Sequence, residues 1–202
     1  MTIQNIFIFI AISYIVFSFI AWKEGKNDGF DEEKMFDLVL ISFVFSAIAY
    51  FISKKIPYPT GYLFSVVWLI PVYFYTHRWK WSPFRVLDIF SIAGFFIMSS
   101  SSGAVYLFLN KNYLYLLVSL IYLILFAYFA FLRSKKIRSG YIFSTFLFVG
   151  AVTFYILKKD LPFSGFLLTL SLVNLYMKIK SDFIPLNMIN SLKDRLLSKR
   201  LR

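Results

Sequence analysis

Seven long apolar stretches, separated by short clusters of charge, limit more than any other feature what this chain can fold into. They cover residues 3–22, 35–52, 60–75, 86–109, 113–132, 140–157 and 163–177. A helix rises about 1.5 Å per residue, so crossing a hydrocarbon core of about 30 Å takes roughly 20 residues. The third and seventh stretches are the shortest and fit a span with little tilt. The pattern predicts an all-α membrane protein, a bundle of about seven transmembrane helices joined by short loops. Apolar residues are 59% of the 202, against about 45–50% in soluble domains. The chain divides into a transmembrane domain over 1–180 and a basic tail over 181–202.

Proline placement agrees with these limits. Pro57, Pro59, Pro83, Pro162 and Pro185 fall in connections or at helix starts, where a missing N–H costs little. Pro71 alone lies inside a stretch, which predicts a kink in the third helix.

The cations give the bundle a direction. Lys23, Lys26 and Lys34 flank the first connection, and Arg78, Lys80 and Arg85 the third. Arg133, Lys135, Lys136 and Arg138 mark the fifth, and Lys178, Lys180, Lys193, Arg195, Lys199, Arg200 and Arg202 follow the seventh stretch. The alternate side holds only Lys54, Lys55, Lys111, Lys158 and Lys159, so the division is seventeen against five. The positive-inside rule then places the N-terminus outside and the C-terminus in the cytoplasm. Cations flanking apolar runs also suit anionic headgroups, so the net charge of +12 points to lipid and away from nucleic acid.

There is no cysteine, hence no thiolate nucleophile and no lipid-modified cysteine on this chain. The first stretch has no positive segment before it and no small-residue cleavage site after it, and reads as a retained helix. In the tail, Met188, Ile189, Leu192, Leu196, Leu197 and Leu201 alternate with Lys193, Arg195, Lys199 and Arg200. That spacing predicts a basic amphipathic helix on the cytoplasmic leaflet, with a partner-binding helix as the rival reading.

Chemistry-bearing residues are few. The carboxylates Glu24, Asp28, Asp31, Glu32, Glu33, Asp37, Asp88, Asp160, Asp182 and Asp194 all avoid mid-membrane. Ion-coupled transporters usually commit an ionisable group there, so this argues against ion coupling. His77, the single histidine, sits among aromatics and cations and reads as an interfacial anchor before a general base. No metal-ligand cluster is visible, and no cofactor is expected. Trp22, Trp79 and Trp81 at stretch ends form an aromatic belt. The most unusual run is Ser99, Ser100, Ser101, Ser102 and Gly103. Small residues there allow close helix packing; the sharper reading is a polar lining for a lipid-facing headgroup cavity.

The run from Phe74 to Asp88 (FYTHRWKWSPFRVLD), the start Tyr113-Leu-Tyr-Leu of the fifth stretch, the basic segment 133–140 and Gly150-Ala-Val-Thr resemble prolipoprotein diacylglyceryl transferase. That family moves a diacylglyceryl group from phosphatidylglycerol to a lipobox cysteine, and its seven-helix, N-out topology matches the charge count. The resemblance implies a bacterial cytoplasmic (inner) membrane location and a phosphatidylglycerol-like lipid partner. A lipoprotein or another membrane protein is a further implied partner.

The departures fall on the chemistry. The family's His-Gly-Gly corresponds here to Tyr62-Leu-Phe, and its Gly-Arg-x-Gly-Asn signature to the 99–103 run, with Ser102 near the arginine position. A family glutamate falls near Asn110, a later arginine near Thr153, and the periplasmic head shrinks to residues 110–112. Thiol activation and phosphate stabilisation need a base and an arginine. The outer side offers Lys54, Lys55, Lys111, Lys158 and Lys159 as headgroup contacts, and no histidine.

The reading is therefore a catalytically degenerate relative that binds lipid or lipoprotein, or acts as a scaffold. An active, divergent transferase would place its rebuilt site at Ser102, Asn110, Tyr115 or Thr153. A small transporter would use the serine run as part of a path.

Overall fold

A computed structural model of the chain describes residues 3–53, 55–56, 66–109, 111–133 and 140–183. Lys54, Asn110, the segment 60–65 and the proposed tail helix lie outside the described residues. Within them the structure is 89% helix with no strand.

The described helices are α1 (Ile3–Asn27), α2 (Glu32–Ser53), α3 (Leu69–Arg78), α4 (Pro83–Ala104), α5 (Tyr113–Arg133), α6 (Tyr141–Lys158) and α7 (Leu161–Phe183). A π-helical turn, Val105–Leu109, prolongs α4. Five of these elements are long and apolar enough to cross a membrane: Glu32–Ser53, Pro83–Leu109, Tyr113–Leu132, Tyr141–Lys158 and Leu161–Lys180. The chain is thus a helical protein with several candidate membrane spans.

Two expectations change. The seventh helix has 23 residues, more than its apolar stretch suggested. The helix begins at Leu161 and runs on through Lys178 to Phe183, past Met177 where the apolar stretch ends. Pro71 falls in the first turn of α3, where its missing N–H leaves no intrahelical bond unmade. It kinks nothing among the described residues.

The helix starts show why the chain breaks where it does. Asp31 Oδ1 accepts the Lys34 amide at 3.1 Å before α2, and Asp160 Oδ1 accepts the Phe163 amide at 3.1 Å before α7. Asn112 Oδ1 accepts the Leu114 amide at 3.0 Å before α5. Each supplies an acceptor to an orphan donor of the first turn. Pro83 opens α4 behind Ser82.

α6 has no capping side chain of its own, because Gly140 stands at its N-cap with φ 99°. Asp88, on α4 and 3% exposed, fills that role from another helix. Its carboxylate accepts the Gly140 amide, and the Phe143 amide at 2.9 Å. A Cβ at Gly140 would lie 3.0 Å from Lys178 Cδ and 3.2 Å from Phe84 Cδ1. Glycine is required there by both backbone angle and space. Asn174 completes the knot, donating to the Gly140 carbonyl at 3.0 Å and to Ser144 Oγ at 2.7 Å.

α4 is the central element, packed against α1, α3, α5 and α6. α1 runs antiparallel to it, with Phe17 against Phe90 and Phe9 against Phe108. Phe30, in the α1–α2 connection, touches Trp81 of the α3–α4 connection with ring centroids 4.6 Å apart. The start of α6 and Lys178 of α7 meet Phe84 and Asp88 at that same end. The starts of α2, α4 and α6 therefore share one end of the bundle with the C-terminal part of α7. Ile15, Phe51, Ile124, Phe131 and Tyr176 face outward, an apolar surface suited to lipid.

Candidate functional site

The serine run divides among neighbours. Ser99 and Gly103 face α5: Ser99 Oγ donates to the Ser119 carbonyl and Ser119 Oγ to the Ser99 carbonyl, each at 2.9 Å. A Cβ on Gly103 would stand 3.2 Å from Ser119 Oγ. These are the close backbone approach and interhelical hydroxyl bonds that hold helices together where lipid tails are as apolar as leucine. Ser102 is buried, Ser100 half-buried, and Ser101 lines a cavity on another face of α4.

The other expected residues are spread out. Thr153 is buried on α6 and accepts the Tyr122 hydroxyl at 3.2 Å. Tyr115 is half-buried on the first turn of α5, its amide bonded to the Asn112 carbonyl. Lys55, Lys111, Lys158 and Lys159 are exposed after α2, before α5 and at the end of α6. They occupy the end of the bundle opposite Asp88. His77 is exposed, its ring parallel to Tyr73 with centroids 6.4 Å apart.

Two cavities flank α4. The first, about 460 Å³, lies between α3, α4, α6 and α7, with Val72, Leu87, Leu147, Gly150, Phe163 and Leu167 in its wall. Asn174, Met98 and Tyr122 also line it. Exposed Tyr73, Val173 and Met177 are part of its lining, so it reaches the lateral surface. The second, about 390 Å³, lies between α1, α2 and α4. Ser13, Ser42, Ser46, Ser91 and Ser101 line it, with Tyr14, Phe17 and Phe43. Trp68, Met98 and Phe146 belong to both linings and form the partition. Both volumes fall in the range of small-ligand pockets, about 300–1,000 Å³.

No charged side chain is among the described residues lining either cavity. Among the described lining residues, proton transfer or phosphate stabilisation would have hydroxyls, the Trp68 indole N–H, the Asn174 amide and the backbone to work with. What the arrangement offers is enclosure of a chain and hydrogen bonds to uncharged groups. Ser13, Ser42, Ser46 and Ser91 were missed in the sequence because each stands alone in an apolar run. The i, i+4 spacing of Ser42 and Ser46 on one face of α2 was the available signal. Compared with known proteins, the chain matches no family model, no curated protein and no solved structure.

Proposed function

We infer that this chain is a lipid-binding multi-pass membrane protein, a relative of prolipoprotein diacylglyceryl transferase that has lost the transferase chemistry. The observation that carries the lipid-binding reading is the uncharged cavity between α3, α4, α6 and α7, with exposed Tyr73, Val173 and Met177 in its lining. An acyl chain entering from the bilayer would meet Leu147, Leu167 and Leu170. Seven passes, N-terminus outside and basic tail inside, are supported by the cation distribution and by the starts of α2, α4 and α6 lying at one end.

The wild-type protein released from detergent in native mass spectrometry should retain lipid. Gly150→Phe, which builds a ring into the cavity from a position where a Cβ has ordinary room beside Leu167 at 3.6 Å, should lower retention. A loss of at least about tenfold is expected, equivalent to roughly 1.4 kcal/mol. Equal retention by both proteins would refute lipid binding in this cavity. In cells depleted of the transferase, the chain should leave lipoproteins unacylated; restored acylation would refute the loss of catalysis.

A further inference from the structure

We propose that the serine-lined cavity between α1, α2 and α4 is a binding site for an uncharged lipid bearing hydroxyl and ester groups, an acylglycerol in chemical class. The proposal rests on the lipid-binding reading and names a ligand for a second cavity.

Ser42 carries the argument. Hydroxyls in helices at membrane depth ordinarily bond back to the carbonyl four residues earlier. Ser18, Ser46, Thr76, Ser91, Thr145 and Thr169 all do so, at 2.6 to 3.0 Å. Ser42 does not. It is 6% exposed, lines the cavity, and its Oγ has no hydrogen-bond partner. A buried hydroxyl without a partner is costly and calls for an explanation. A ligand carbonyl accepting from Ser42 Oγ supplies one. Ser46 and Ser91 donate their protons to backbone carbonyls, and each hydroxyl oxygen keeps a lone pair that can accept from a ligand hydroxyl. The cavity thus presents a free donor beside spare acceptors, the complement of a hydroxyl next to an ester.

Depth selects against charge. Ser42 lies ten residues beyond the start of α2 at Glu32, about 15 Å along the helix axis, near the middle of a core about 30 Å thick. A phosphate there would need a cation, and the described lining holds none. An uncharged headgroup carries no such penalty. The neighbouring rings of Phe17, Phe43 and Phe90 suit the upper part of an acyl chain.

The test uses the full chain in phosphatidylcholine nanodiscs containing either a photoactivatable monoacylglycerol or the lysophosphatidylglycerol with the same photoactivatable chain. Labelled peptides are mapped by mass spectrometry. The monoacylglycerol should label the segments around Ser42 and Ser91, and the charged probe should not. Ser42→Ala should cut that labelling about fivefold, as for one lost hydrogen bond. In probe-free nanodiscs the same substitution should raise the thermal midpoint, because it removes an unsatisfied hydroxyl. Equal labelling of this cavity by both probes, or labelling unchanged in Ser42→Ala, would overturn the proposal. Labelling confined to the cavity of Leu147 and Leu167 would overturn it and leave the lipid-binding reading intact. Labelling of neither cavity would overturn both.

Discussion

Asp88 illustrates how much one buried side chain organises here. Its carboxylate sits on α4 yet satisfies the first amides of α6, and the partial positive charge of a helix N-terminus favours it there. Asp88→Ala leaves buried donors without partners, and a loss of about 2–3 kcal/mol is expected. Asp88→Asn keeps an acceptor and should cost less. Thermal unfolding in a fixed detergent would order the three proteins. Asp31 makes a smaller, exposed contribution. Its carboxyl is held below the ordinary carboxylate range by the Lys34 amide first and the Lys34 ammonium second. A group with a depressed folded-state value stabilises above its unfolded value, about pH 4, and that contribution is lost as the pH falls through the folded-state value. The stability gap between wild type and Asp31→Asn should therefore be present at neutral pH and close in acid. A gap independent of pH would contradict this assignment.

Among the elements, the helices were legible because long apolar stretches and boundary prolines such as Pro83 and Pro162 act locally; the caps at Asn112 and Asp160 emerge only in the structure. What surrounds each helix was less so. The 99–103 run was legible as a packing face at Ser99 and Gly103, whose neighbour α5 follows directly in sequence. Its separation of Ser101 onto a cavity wall depends on α1 and α2, which no local pattern in the run reveals. In the sequence Asp88 is one of ten carboxylates kept out of mid-membrane. Its partner at Gly140 lies 52 residues away, a distance at which sequence pattern is silent. The α4–α5 contact makes its own prediction. Gly103→Leu places a branched side chain where Ser119 already stands 3.2 Å from an added Cβ. Overpacking of this kind costs about 1–3 kcal/mol. A thermal midpoint unchanged from wild type would show that α5 can move aside.

Among the described residues the molecule combines an apolar exterior with uncharged cavities on either side of α4. Its lack of cysteine makes the arrangement across the membrane open to direct measurement, since each introduced cysteine is alone. Cysteines replacing Asp28 and Ser82 should react with a membrane-impermeant maleimide from the cytoplasmic side only, and those replacing Asn112 and Lys159 from the opposite side only. Reaction of all four from one side would refute the alternating topology. The central claim, that this bundle holds lipid between its helices, is tested most directly by a cryo-EM map of the full chain in lipid nanodiscs. The predicted result is elongated acyl-chain density between α4, α6 and α7, lying against Leu147 and Leu167. Closure of that space by its own side chains, or a continuous hydrated path from one end of the bundle to the other, would contradict it.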